Sequence, residues 1–136
     1  MFGAPVPRRE PTPTKPAGIE GIILEITSLL GVSALLIVDE NGEVEHQWYR
    51  TLLDRSKIEV TGIDIKQLVD LAMNFISRIG GGGADNMILR SENSTVLIQG
   101  AYKRTIFIYA DKRANLALLM IRAKRVAQLI STPSSA

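Results

Sequence analysis

A chain of 136 residues is long enough for one domain with its own core and too short for two, so it has no room for a separate catalytic domain. Apolar residues make up 46% and charged residues 22%, the balance of a soluble globular domain, and no apolar run approaches the roughly 18 residues of a membrane span. A net charge of +2 is too small to argue for nucleic acid without clustering of the basic residues, and the absence of cysteine excludes disulfides and cysteine-ligated metals.

Residues 1–16 carry five prolines with Arg8, Arg9 and Lys15 but few large apolar side chains, and they read as a flexible tail. No basic n-region followed by an apolar h-region is present, so a cytoplasmic protein is expected. The domain is placed at residues 17–131. From Ala17 to Leu30 apolar residues recur at helical spacing, and Gly31 follows where a left-handed C′ residue belongs. Val32 to Asp39 is a nearly continuous branched apolar run, which predicts a central strand buried on both faces. Asn41-Gly42 predicts a tight hairpin, and Val44, His46 and Trp48 then alternate with Glu45, Gln47 and Tyr49 as in a half-exposed edge strand. Thr51 to Gly62 reads as a loop anchored by Leu52, Leu53, Ile58 and Val60.

A helix is predicted over Asp64 to Ile79, opened by a capping box between Asp64 and Gln67. At about 100° per residue its apolar side chains, from Ile65 to Ile79, fill an arc of roughly 200°. An ordinary surface helix needs a stripe only a little wider than about 100°. Such a helix requires cover on two sides, and so short a chain has few elements to spare, so a second copy of the protein is the expected cover, the alternative being a central helix wholly inside one core. Gly80 to Gly83 end the helix. Asn86 to Ser91, Thr95 to Gln99 and Thr105 to Ala110 read as three strands joined too tightly for parallel crossovers. The last helix runs from Leu116 to Ile130 with Asn115 as N-cap, and residues 132–136 form a flexible end. The element order is α-β-β-α-β-β-β-α.

Few residues carry a chemical signal. The four glycines at 80–83 follow a helix, whereas a phosphate loop precedes one so that backbone N–H groups meet the anion; they read as a flexible connection. Asp39 to Glu43 lies between two strands without the ligand pattern of a calcium loop. His46 is the sole histidine and has no histidine partner for a metal site, no cysteine nucleophile exists, and no spacing singles out a carboxylate pair. No catalytic residue, metal or cofactor is expected, and the chain does not read as an enzyme. Arg122, Lys124 and Arg125 point in three directions on the last helix, a solvated back rather than a nucleic-acid stripe, with Leu118 and Leu129 among them.

Two segments resemble the Roadblock/dynein light chain family. Residues Gly31-Val32-Ser33-Ala34-Leu35-Leu36-Ile37-Val38-Asp39-Glu40-Asn41-Gly42 are similar to the family's glycine and small-residue opening, buried first strand and Asp-x-x-Gly-type hairpin. Ala114-Asn115-Leu116-Ala117-Leu118, continuing to Arg122, is similar to the Asn-Leu-Gly start of its closing helix, with Ala117 in place of the usual glycine. The similarity runs from about Ile19 to Ser131. It implies a three-layer α/β/α sandwich around a five-stranded antiparallel sheet, related to longin and profilin-like folds. It also implies dimers that set the middle helices side by side and join the third strands into one sheet. The family has no active-site motif, and its proteins act as dimeric platforms, many for small Ras-like GTPases, or as dynein subunits.

The expectation is therefore a non-enzymatic homodimeric scaffold that binds and regulates a small Ras-like GTPase. Wheel position selects Val69, Met73 and Ile76, with Met87 and Leu89 of the third strand, as the dimer seam, and Lys66, Asp70, Asn74 and Ser77 as the exposed partner-facing stripe. Arg8, Arg9, Arg55 and Arg78 are the arginines considered for a finger role. An adaptor subunit of a trafficking or cytoskeletal motor complex, with no GTPase partner, shares this fold. A small-ligand sensor would need an unfilled cavity.

Overall fold

The computed structural model describes residues 18–131; the tail at 1–16 and the end at 132–136 lie outside the described residues. In chain order the elements are α1 (Ile19–Thr27), β1 (Val32–Asp39), β2 (Val44–Tyr49), α2 (Leu52–Lys57), α3 (Gly62–Arg78), β3 (Asn86–Arg90), β4 (Ser94–Ala101), β5 (Arg104–Asp111) and α4 (Leu116–Ser131). The strands form one antiparallel sheet in the order β2-β1-β5-β4-β3. β1 is interior as expected, β5 is the middle strand, and β2 and β3 are the two edges.

Alternation along β1 divides the interior into two cores. Leu35 and Ile37 join Ile108 of β5, Ile26 of α1, and Leu119 and Val126 of α4 on one face. On the other, Leu36 and Val38 join Ile98, Phe107 and Ile65 of α3. A strand covered on both faces needs apolar residues at consecutive positions, which is why its sequence shows no polar alternation. The three-layer α/β/α architecture follows: α1 and α4 cover one face, and α3 crosses the other.

One element departs from the expectation. The segment read as a loop contains α2, opened by Thr51, whose Oγ1 accepts from the Asp54 N–H at 3.0 Å. Leu52, Leu53 and Val60 do not anchor it, since all three are exposed, and Ile58 alone is half-buried. The opening of α3 is also displaced: Thr61 is its N-cap and Asp64 is the N3 residue that completes the capping box, so Gln67 takes no part. The rule is the same one used on the sequence, applied three residues earlier.

Gly31 closes the α1–β1 turn at φ +89°, and a Cβ there would lie 2.7 Å from the Ala114 backbone nitrogen. Its carbonyl accepts from the Asp111 N–H at 2.8 Å, tying the start of β1 to the end of β5. Asn115 then caps α4 as expected, its Oδ1 accepting from the Leu118 N–H at 3.0 Å. Gly31→Ala is expected to destabilise the fold by about 1–3 kcal/mol in urea unfolding. Gly83→Ala, where an added Cβ meets nothing within 4 Å, should stay within about 0.5 kcal/mol of wild type.

Candidate interaction site

The start of α3 rests on the β1–β2 hairpin. A Cβ at Gly62 would fall 2.2 Å from the Gly42 carbonyl oxygen, and one at Gly42, itself at φ +86°, 2.6 Å from the Ile63 side chain. Only two glycines let these backbones approach so closely. The Thr61 N–H donates to the Asp64 carboxylate at 2.9 Å, and the Asp64 N–H donates to Thr61 Oγ1 at 3.1 Å. The first turn is thereby satisfied at both ends of the box. These bonds from Thr61, the backbone donor foremost, hold the Asp64 carboxyl below the usual carboxylate range.

Cover decreases along the helix. Ile65 is buried and Leu68, Val69, Ala72 and Ile76 are half-buried, but Leu71, Phe75 and Ile79 are 66, 62 and 66% exposed. Spaced four apart, these three form one continuous exposed stripe, of which Leu71 and Phe75 also line the groove described next. Between the second half of α3 and the sheet lies an apolar groove of about 480 Å³, with Val69 and Ile76 on the helix side and Met87 and Ile98 on the sheet side. Beside it runs β3, whose outer edge has no neighbouring strand among the described residues. Met87 and Leu89 pair with Ile98 and Val96 on the α3 face, while Ile88 pairs with Leu97 on the other.

All five residues chosen for the seam thus lie on one side of the sheet, in two environments. Val69 and Met87 pack against the core beneath α3, and both line the groove together with Met73 and Ile76. Met73 and Leu89 are exposed at 38 and 46%. Leu71 and Phe75 lie in the apolar arc derived from the sequence, yet they were not selected for the seam. The wheel shows both flanks of that arc and does not show which one the sheet covers.

Of the partner-facing stripe, Lys66 is half-buried and Asp70, Asn74 and Ser77 are exposed. Lys66 Nζ meets Asp70 Oδ2 at 2.6 Å, an i,i+4 pair that neutralises the charge of this face and adds little stability in so exposed a setting. After the helix, Gly80 and Gly82 take positive φ, and Asp85 is held by the Gln99 side chain and the Gly100 N–H, both donating to its carbonyl. The glycines therefore join a helix to a strand, as expected. His46 stands half-buried on β2. Among the described residues no three His, Asp or Glu side chains gather as a metal site, and no helix is long and apolar enough to cross a membrane.

No protein-family model matches the sequence, and no curated protein matches it. The fold does have counterparts. Myxococcus xanthus MglB superposes with a TM-score of 0.72 at 16% identity, covering 87% of this chain and 95% of that one. A second MglB, described in a tetrameric arrangement, gives 0.67 at 13% identity over 87% and 90%. A Roadblock/LC7 domain from Streptomyces avermitilis gives 0.65 at 12% identity over 82% and 89%.

Because the folded-state pKa of Asp64 is depressed, its contribution to stability is present above the unfolded value near 4 and is lost as pH falls through the folded one. Asp64→Asn is expected to flatten the loss of stability below about pH 4, read by chemical denaturation across that range. These superpositions, each covering more than four fifths of both chains, show that this chain has the Roadblock/LC7 fold.

Proposed function

We propose that the chain is a non-enzymatic homodimeric platform for a small Ras-like GTPase, acting in the cytoplasm. The observation that carries the dimer is the exposed stripe Leu71, Phe75 and Ile79 over an open apolar groove beside the free edge of β3. Moving three such side chains from about two thirds exposure to full burial contributes on the order of 3–6 kcal/mol per protomer. Association itself costs about 4–15 kcal/mol, so the stripe must act together with other contacts. Two are at hand: pairing of β3 with its copy, which satisfies unpaired N–H and C=O groups, and filling of the groove by apolar side chains. Val69, Met73, Ile76, Met87 and Leu89 form this seam together with Leu71 and Phe75.

The tetrameric arrangement of one MglB supports an oligomeric reading of the shared fold. The GTPase assignment rests on the resemblance to the Roadblock/dynein light chain family. Placing two copies of α3 side by side leaves Lys66, Asp70, Asn74 and Ser77 facing outward as the partner surface. A face whose one ion pair is internally neutral favours binding through hydrogen bonds and shape over long-range attraction.

Phe75→Asp should weaken self-association at least tenfold in sedimentation velocity, whereas Leu129→Asp, on the exposed back of α4, should leave it unchanged. Capture of proteins from native lysate with and without a non-hydrolysable GTP analogue tests the partner. Nucleotide-dependent enrichment of a small GTPase is expected, and Asp70→Lys should reduce it several-fold while keeping the dimer. Recovery of trafficking or cytoskeletal proteins with no GTPase would overturn the assignment.

A further inference from the structure

The chain enters the fold at Gly18, and Ile19 immediately lines a hollow of about 270 Å³ at one end of the sheet, with Ile22, His46 and Ile130 around it. That hollow shares Glu45 and Arg104 with a second, of about 330 Å³, which runs past Tyr102 to the β1–β2 hairpin at Asp39 and Glu40. A continuous path therefore leads from the point of chain entry across an aromatic side chain to the hairpin. Tyr102 is exposed along this path, with the Lys103 ammonium over one side of its ring, 5.4 Å from the centroid. The Glu45 carboxylate at its middle is bound to Arg104 at 2.7 Å, and the carboxylates of Glu40 and Glu43 at its far end have no ion-pair partner among the described residues.

The charge of the chain is divided in a matching way. Arg8, Arg9 and Lys15 against Glu10 give residues 1–17 the whole net charge of +2, leaving the rest neutral. We propose that this N-terminal segment docks on its own domain, in a polyproline II conformation, along the path from Ile19 to the β1–β2 hairpin. With three residues per turn, Pro7, Pro13 and Pro16 share one face of such a helix and Arg9 and Lys15 another. The proline face suits Ile19, Ile22 and Ile130 of the first hollow and Tyr102 of the second, as in aromatic grooves that receive proline-rich chains. The cationic face meets the Glu40 and Glu43 carboxylates of the hairpin, which outnumber Lys103 beside them, while Glu45 is already bound to Arg104. At about 3.1 Å per residue, Arg8 and Arg9 reach on the order of 30 Å from Gly18, enough to cross a face of a small domain. Asp39, Glu40 and Arg104 also border a recess shared with Lys66 and Asp70, so the docked segment lies next to the outward stripe of α3. The docking does not rest on the dimer or GTPase reading.

The absence of cysteine permits a direct test on the full chain. A nitroxide attached after Pro5→Cys substitution should reduce the amide signals of residues 39–46 and 102–104 by half or more. At about 1 M salt, where the screening length is about 3 Å, the effect should shrink. Arg9→Glu together with Lys15→Glu should abolish it. Uniform or absent broadening, broadening confined to α3 and β3, or broadening that survives the double charge reversal would each overturn the proposal. Labelled unenriched chains mixed with unlabelled enriched ones report contacts between molecules. Signal loss only in such mixtures would overturn docking of the segment on its own domain.

Discussion

The approach of Gly62 to the Gly42 carbonyl determines where α3 can go. Neither backbone has room for a Cβ, so the helix begins against the hairpin that joins β1 and β2. The Thr61–Asp64 box satisfies its first turn there, and Ile65, one residue on, fills the core above Leu36 and Phe107. From that fixed end the helix crosses the sheet toward β4 and β3. Its last two turns overlie the groove instead of a filled core, and their apolar side chains remain in water. The helix is thus pinned at one end and less covered at the other.

The two faces of the sheet differ for this reason. On one, α1 and α4 bury Ile23, Ile26, Leu119, Ala123 and Val126 against the strands, and their outer backs mix charged residues with the exposed Leu24, Ile121 and Leu129. On the other, five fully buried residues make up the core beneath a single helix, with Val96, Met87 and Tyr109 only partly covered. The free edge of β3 adjoins the less covered face. Unsatisfied apolar surface and unsatisfied backbone groups thus occur at the same place, and a second copy placed there would satisfy both.

Much of this was legible in the sequence because it is periodic. The nearly continuous apolar run of Val32 to Val38, the Asn41-Gly42 turn and the stripe of α4 behind Asn115 depend on neighbours within a few positions, and each appears where expected. The width of the apolar arc of α3 likewise marked it as a helix whose cover is incomplete. What local pattern does not carry is pairing between distant segments. The Gly42–Gly62 approach joins a turn to a helix start twenty residues later, and neither glycine alone signals it. The same limit applies to α3, whose wheel shows an apolar arc but not that Leu71 and Phe75 stay exposed. α2 was missed for another reason: its leucines are exposed, and a six-residue helix has too few turns to show a period.

The central claim is that the uncovered half of α3 is covered by another copy of the chain. Sedimentation equilibrium of the unmodified protein at micromolar concentration addresses it most directly. The account predicts a species of about 30 kDa, twice the 14.9 kDa of one chain. A monomer that persists across that range would contradict it and leave the stripe and groove to a different partner.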